Sequence, residues 1–222
     1  NYMLNCGMGV LMIPAAGVLL LLKGGEWLGL LKAVLPGADS VLAALAISVA
    51  CLLASMNDMA APSVSLEGKS LWVLQSLPVS AWEVLKAKLK MQLVCTGIPM
   101  LVFLACALPV LGLSPVLSLL TAAGSLLAVL LLALFGLTMG LKMPNLSWTN
   151  EVVPIKQSAC VALSLFSGWA VAMIPGALYL LTGIGSLDPL LYLSVVTALV
   201  LILSAVLSLW VKKTGSCIFA AL

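Results

Sequence analysis

The sequence predicts an all-α membrane protein, a polytopic bundle of transmembrane helices that forms a single domain over residues 1–222. Hydrophobic residues make up 64% of the chain and charged residues only 8%. Soluble domains carry about 25% charged residues, so this chain cannot cover a water-facing surface. Its charged residues lie between long apolar runs and never near the centre of one, as is expected of segments that cross a bilayer.

Six apolar runs are long enough, or nearly so, to cross the membrane as helices, which takes about 20 residues. The predicted spans are residues 3–22, 41–56, 91–111, 116–141, 158–182 and 190–211. The second is the shortest, and we expect Pro99 and Pro109 to kink the third or to end it early. Turn residues separate the runs, with Gly24-Gly25 and Pro36-Gly37 after the first and residues 183–189 before the last.

The distribution of the lysines predicts the orientation of the bundle in the membrane. Six spans place the polar loops 57–90 and 142–157 on the same side as the C-terminus. That side carries eight of the ten lysines: Lys69, Lys86, Lys88, Lys90, Lys142, Lys156, Lys212 and Lys213. Because lysine-rich loops stay in the cytoplasm, we expect a multi-pass protein of the cell membrane with both loops and the C-terminus inside.

Several kinds of site are absent from the sequence. The chain has no histidine and no arginine, and its six cysteines form no C-x-x-C pair, so we expect no metal site and no catalytic residue. Without the guanidinium forks of arginine we expect no nucleic-acid partner. Gly68-Lys69-Ser70 matches the end of a phosphate-binding loop, but Ser63 stands where the first glycine is required, and no strand is predicted before it.

The longest polar interval, residues 61–90, has a predicted helix start of its own. Ser80 and Glu83 have the spacing of a capping box, and the helix that they begin is expected to run directly into the third span. Before Pro78, residues 63–76 are predicted to form a shorter helix. Two interpretations stay open from the residues alone: an amphipathic segment that rests on anionic lipid, or a docking element for a soluble cytoplasmic partner.

Motifs in both loops resemble the permease subunits of type-2 ABC exporters, most closely those of Gram-positive bacteria. The first is the run SVSLEGKS at residues 63–70, followed by Leu-Pro-Val-Ser at residues 77–80 and a lysine-rich helix start. The second is similar to the family's Pro-x-Leu-x-Trp-x-x-Glu followed by Lys-Gln, and its matching residues are Pro144, Leu146, Trp148, Glu151, Lys156 and Gln157. Lys142 departs from the pattern, because the family tends to carry an acidic residue there.

The resemblance implies a separate ATPase subunit that binds ATP and Mg²⁺, while this chain binds no cofactor. It also implies a second membrane half, identical or different, and a chain longer than this one, of which these residues are the C-terminal portion. In such exporters the loop after the second span carries a coupling helix that contacts the ATPase. Transferred to this sequence, the contact residues are Glu67, Gly68, Lys69, Trp72, Pro78, Ser80, Glu83 and Lys86.

Three classes of function remain. The favoured one is an exporter permease that moves a hydrophobic or amphipathic substrate outward, powered by a partner ATPase. Ion-coupled transporters usually bury ionisable groups in mid-membrane, whereas here the nearest, Asp58, lies at the edge of a span. The alternatives are a non-transporting scaffold or immunity-type protein, and an intramembrane enzyme, for which paired carboxylates and histidines within the spans are missing.

Other residues within the spans predict helix packing. Gly136 and Gly140 form a G-x-x-x-G motif in the fourth span, suited to close approach within the chain or to a dimer seam. Serine and threonine hydroxyls scattered through the spans are expected to bond between helices or to line a weakly polar path. Trp169 is expected to be buried in the bundle.

Overall fold

The computed structural model describes residues 2–34, 38–181 and 188–222. The protein is 85% helical, and the described residues contain no strand, which confirms the predicted all-α bundle. The long helices are α1 (Tyr2–Val34), α2 (Ala38–Ser55), α4 (Ala81–Leu111), α5 (Pro115–Lys142), α7 (Ala159–Leu181) and α8 (Pro189–Trp210). Between and after them lie a 3₁₀ helix (Ser65–Ser70), α3 (Leu71–Ser76), α6 (Val152–Lys156), a π-type turn (Val211–Gly215) and α9 (Ser216–Ala221).

Five of the described helical segments are long and apolar enough to cross a membrane. They are Gly9–Leu31, Ala81–Leu111, Pro115–Lys142, Val152–Leu178 and Pro189–Ala221. The exception among the predicted spans is α2, whose described apolar part, Val41–Ser55, is shorter. The whole of α2, Ala38–Ser55, has 18 residues and is about 27 Å long, which is close to the thickness of a hydrocarbon core.

Helix α2 lies in the interior of the bundle. It packs against α1, α4, α5, α7 and α8. Most of its described side chains are buried, and the buried ones are Val41, Leu42, Ala43, Ala44, Ala46, Ile47, Ser48, Ala50, Cys51, Ala54 and Ser55. Because α2 is surrounded by other helices, protein rather than lipid covers most of its surface.

Close contacts at glycines show that alternate helices run parallel. Gly17 of α1 lies against Phe103 of α4, and further along both helices Gly24 lies against Val110. In the same way Gly124 of α5 lies beside Ile47 of α2, and Gly136 lies beside Asp58, just after the end of α2. Helix α7 runs in the opposite direction to α2, because Gly168 lies against Ser55 and Gly176, further along α7, lies against Ser48.

The two polar loops lie at the same end of the bundle. Helix α8 runs in the direction of α5, because its Thr197 lies near Gly124 and its Trp210 lies near Lys142. The ends of α2, α5 and α8 and the starts of α4 and α7 therefore meet at one end, which we call the loop end.

Helix boundaries differ from the sequence prediction in three places. The predicted turn at Gly24-Gly25 is wrong, because α1 continues to Val34 and Gly24 packs against Val110 of α4. Helix α4 does not end early at Pro99 or Pro109 but continues to Leu111. The last helix passes the predicted boundary at Val211 through a π-type turn into α9. The turns predicted at Pro36-Gly37 and at residues 183–189 fall mostly outside the described residues.

Three hydroxyl groups within the spans are satisfied inside their own helices. Ser125, Thr138 and Ser204 each donate to a carbonyl four residues back in their own helix, at 2.7–2.8 Å. Such bonds satisfy the hydroxyl donor within one helix and do not join two helices. The expected burial of Trp169 is wrong, because this side chain is 42% exposed and makes an edge-to-face contact with Phe166, which is also exposed.

Candidate functional site

The two motif-bearing loops meet at Ser65. The indole Nε1 of Trp148 donates to the Ser65 carbonyl at 2.6 Å, and the backbone N–H of Asn145 donates to the Ser65 hydroxyl at 3.0 Å. Segments more than 80 positions apart thus share hydrogen bonds at one buried residue. We call the residues 65–80 and 143–151 together the candidate surface.

Gly68 is required where it stands in the candidate surface. Its φ of +51° lies in the region that favours glycine, and its ψ of −128° breaks the 3₁₀ helix at this point. A Cβ atom here would also lie 3.1 Å from the Trp148 indole ring. The glycine therefore permits both the bend of the first loop and the close approach of the second.

Glu67 contributes to the internal structure of the loop end. It forms an ion pair with Lys88 of α4, and the same ammonium group donates to the Ser63 carbonyl at 2.8 Å. Glu67 and Lys88 also line a groove of about 360 Å³, together with Met59, Ser63, Leu66, Met91 and Glu151. Of the predicted contact residues, Glu67 and Gly68 are thus held by contacts within the chain.

The outer part of the first loop exposes an apolar ridge, which consists of Trp72, Val73, Leu77 and Val79. Trp72 is 67% exposed, whereas the adjacent Leu71 is 4% exposed and belongs to the core beneath. Leu71 therefore packs inward, and its neighbour Trp72 points outward. Exposed Lys69 precedes the ridge, and exposed Pro78 lies within it.

The predicted capping box at the start of α4 is confirmed. The Ser80 hydroxyl accepts from the Glu83 N–H at 3.3 Å, and the Glu83 carboxylate accepts from the Ser80 N–H at 2.8 Å. The helix then runs unbroken into the third predicted span. Lys86 lies six residues after Ser80 and is exposed.

The remaining residues of the second motif have different environments. Leu146 packs against the core cluster that contains Leu71. Pro144 is half-buried, whereas Glu151, Lys156 and Gln157 are exposed around the short helix α6. Only Trp148 among the predicted residues of this motif makes a side-chain hydrogen bond to the first loop in the described structure.

Gly136 and Gly140 pack within the chain. A Cβ atom on Gly136 would lie 2.7 Å from the Asp58 carboxylate, and one on Gly140 would lie 2.3 Å from the Ala61 carbonyl oxygen. The motif therefore seats residues 58–61, the turn that follows α2, against α5. Packing within the chain accounts for both glycines, so the alternative of a helix contact in a dimer is not needed to explain them.

Asp58 is a buried carboxylate whose environment sequence analysis missed. It lies between α2 and the first loop, outside the helical spans, and its Oδ1 accepts from the backbone N–H groups of Ala60 and Ala61 at 3.1 Å. Its Oδ2 is buried without a hydrogen-bond partner among the described residues. Burial raises the pKa of the Asp58 carboxyl, and the polar groups near it, first the Ser164 hydroxyl and then the Ala61 and Ala60 N–H groups, partly offset the effect. Its position at the edge of the second predicted span was the only signal in the sequence.

A buried amide network fixes the same turn to α4. Gln92 accepts from the Met59 N–H at 2.6 Å and donates to the Asn57 carbonyl at 2.6 Å. The Asn57 side chain donates to the Thr96 hydroxyl at 3.1 Å. Residues 57–61 are thus hydrogen-bonded to α4 on one side and seated on the glycines of α5 on the other.

The last helix supports the candidate surface from below. Phe219 of α9 is buried with Leu71, Leu85 and Leu89, and its carbonyl accepts from the Gln75 side chain at 3.0 Å. Helix α3 therefore rests on a core built from α4, α5 and the continuation of α8.

No protein-family model matches the chain, and neither does any curated protein or solved structure. What the candidate surface does is therefore inferred from its own residues and from the two loop motifs. The exposed apolar ridge, the lysines beside it and the well-packed core beneath it are suited to contact with a protein or with lipid. The described residues contain no cluster of three or more His, Cys, Asp or Glu side chains that could hold a metal.

Proposed function

We propose that this chain is the transmembrane permease subunit of an ATP-driven exporter, and that the candidate surface docks on a separate ABC ATPase subunit. One observation carries the proposal: the two loop segments that resemble exporter permeases share hydrogen bonds at Ser65 and form a single surface. Motifs that are far apart in sequence yet adjacent in space are expected of a shared docking site.

The packing at the loop end is suited to passing on a movement of the partner. Residues 57–61 are bonded to α4 and seated on α5, while α3 rests on Phe219 of the last helix. A force on Trp72 would therefore reach three of the long helices through buried contacts. Closely packed interiors transmit displacement because they have little free volume.

The substrate that we propose is hydrophobic or amphipathic. A cleft of about 460 Å³ between α1, α2 and α4 supports this class, since every residue along it is apolar or aromatic. Its walls are Ala16, Leu19, Leu20, Trp27, Leu28, Leu31, Leu42, Leu45, Ala46, Val49, Phe103, Ala107 and Leu111. In this proposal the loop end faces the cytoplasm of a bacterial cell, and a second membrane half completes the transporter.

The test is expression of the tagged chain in its native cells, followed by purification, identification of any copurifying ABC ATPase and reconstitution of the two. We expect the ATPase to copurify with the wild type and with Trp169→Ala, which removes an exposed tryptophan from α7. We expect Trp72→Ala to abolish copurification and the stimulation of ATP hydrolysis, with Lys69→Ala causing a smaller loss. Glu67→Ala is less informative, because it also breaks the internal ion pair with Lys88.

Gel-filtration profiles and thermal stability show whether each variant is folded. If folded Trp72→Ala retains both copurification and stimulation, the docking assignment is wrong. If no ATPase copurifies even with the wild type, a non-transporting scaffold or immunity-type protein becomes the better account.

A further inference from the structure

An exposed apolar stripe runs along α8 and points away from the bundle. Leu199, Ile202, Val206 and Leu209 follow the spacing of one helix face, and each is more than half exposed. Within a membrane-spanning helix such a face lies against lipid acyl chains. The stripe continues in helical spacing to Lys213 at the loop end.

Basic and aromatic side chains lie together where the stripe ends. The Lys142 ammonium group lies 5.1 Å from the centre of the Trp210 ring. Lys213 follows Leu209 of the stripe by four residues, which is close to one turn even through the π-type turn, and Lys212 is exposed beside it. Leu141 packs near Gly215, which holds the end of α5 against this part of the last helix.

These lysines lack acidic partners within the described residues. The ion pairs recorded there join Lys23 to Glu26 and Lys88 to Glu67, at other places in the fold. Lys142, Lys212 and Lys213 are all exposed. A cluster of uncompensated positive charges next to an interfacial tryptophan attracts anionic headgroups.

We propose that Lys142, Trp210 and Lys213 form a binding site for an anionic phospholipid. The headgroup phosphate lies between the two ammonium groups, and an acyl chain follows the α8 stripe from Leu209 towards Leu199. The continuity between the stripe and the lysines favours a lipid over a free anion or an acidic protein, since neither of those would use the apolar face. This site is separate from the apolar ridge of the candidate surface and does not depend on the proposed function.

The test measures lipid binding to the purified full chain in a neutral detergent. Phosphatidylglycerol, phosphatidylcholine and inorganic phosphate are added separately, and bound lipid is counted by native mass spectrometry. We expect phosphatidylglycerol to bind the wild type in preference to phosphatidylcholine, and inorganic phosphate to leave that binding unchanged. Lys142→Gln/Lys213→Gln should bind phosphatidylglycerol roughly 30-fold more weakly, from the usual attraction of each lysine to an anionic headgroup.

The matched control is Lys90→Gln/Lys156→Gln, which removes the same charge from exposed positions at the loop end that lie outside the candidate surface. It should bind phosphatidylglycerol as the wild type does. If the first double variant does not fold, each single lysine variant should still show a loss of about fivefold. Equal binding of the two lipids, equal losses in both double variants, or competition by inorganic phosphate would overturn the proposal.

Discussion

Substituting Gly140 by alanine tests whether residues 58–61 are seated on α5 as the structure indicates. The added Cβ would lie 2.3 Å from the Ala61 carbonyl oxygen. Weak C–H···O contacts between carbon and oxygen are usually about 3.3–3.6 Å, so the turn or the helix must move by about 1 Å. The obstacle is backbone, and Ala60, Ala61 and Val64 around it are at most 1% exposed.

The size of the effect follows from two opposing contributions. Overpacking a well-filled interior costs about 1–3 kcal/mol, and more where the obstacle cannot rotate away. Alanine recovers up to about 1 kcal/mol of helix propensity relative to glycine. We therefore expect Gly140→Ala to destabilise the fold by about 2 kcal/mol, which corresponds to a fall in Tm of about 4–8 °C for a chain of this size.

The matched control is Gly97→Ala in α4, where a Cβ atom would meet nothing within 4 Å. Thermal unfolding of both variants in the same detergent, followed by tryptophan fluorescence, gives the comparison. Gly97→Ala should unfold at or above the wild-type temperature, and Gly140→Ala clearly below it. If the two alanine variants unfold at the same temperature, the close contact between α5 and the turn does not exist.

Two further predictions concern the candidate surface and the turn. Trp148→Phe keeps a ring beside Gly68 but loses the hydrogen bond to Ser65, so it should lower the free energy of unfolding by about 1 kcal/mol. It should also speed proteolytic cleavage within residues 143–157, and an unchanged cleavage rate would contradict the contact. Burial raises the pKa of Asp58, so wild-type stability should fall as pH rises above about 4, where the unfolded carboxyl ionises first, and should level off above the folded pKa. Asp58→Asn should remove this component of the pH dependence. Thermal unfolding of both proteins at several pH values measures it, and parallel curves of Tm against pH would contradict the prediction.

The elements that the sequence predicted well are those that depend on local chemistry. The capping box needs only Ser80 and Glu83 at the right spacing, and it is formed as expected. The apolar runs likewise required helices, because a backbone in lipid must satisfy its own hydrogen bonds. The polar intervals between them located both loops.

The misplaced features depend on contacts between distant segments. Gly24-Gly25 has the composition of a turn, but the packing of α1 along α4 outweighs the weak propensity of glycine. Asp58 was correctly placed at the edge of a span, but its burial depends on Gly136, far along the chain. The same holds for the contact between Gly68 and Trp148, which no local pattern reveals.

The most direct test of the account is the accessibility of single cysteines in cells, in a background that lacks the native cysteines. Lys86→Cys and Lys142→Cys report on the two loops, and Asp188→Cys, at the start of α8, reports on the opposite end. We predict that a membrane-impermeant maleimide labels Asp188→Cys in intact cells and labels the other two only after lysis. Labelling of Lys86→Cys and Lys142→Cys from opposite sides would contradict both the topology and the shared docking surface.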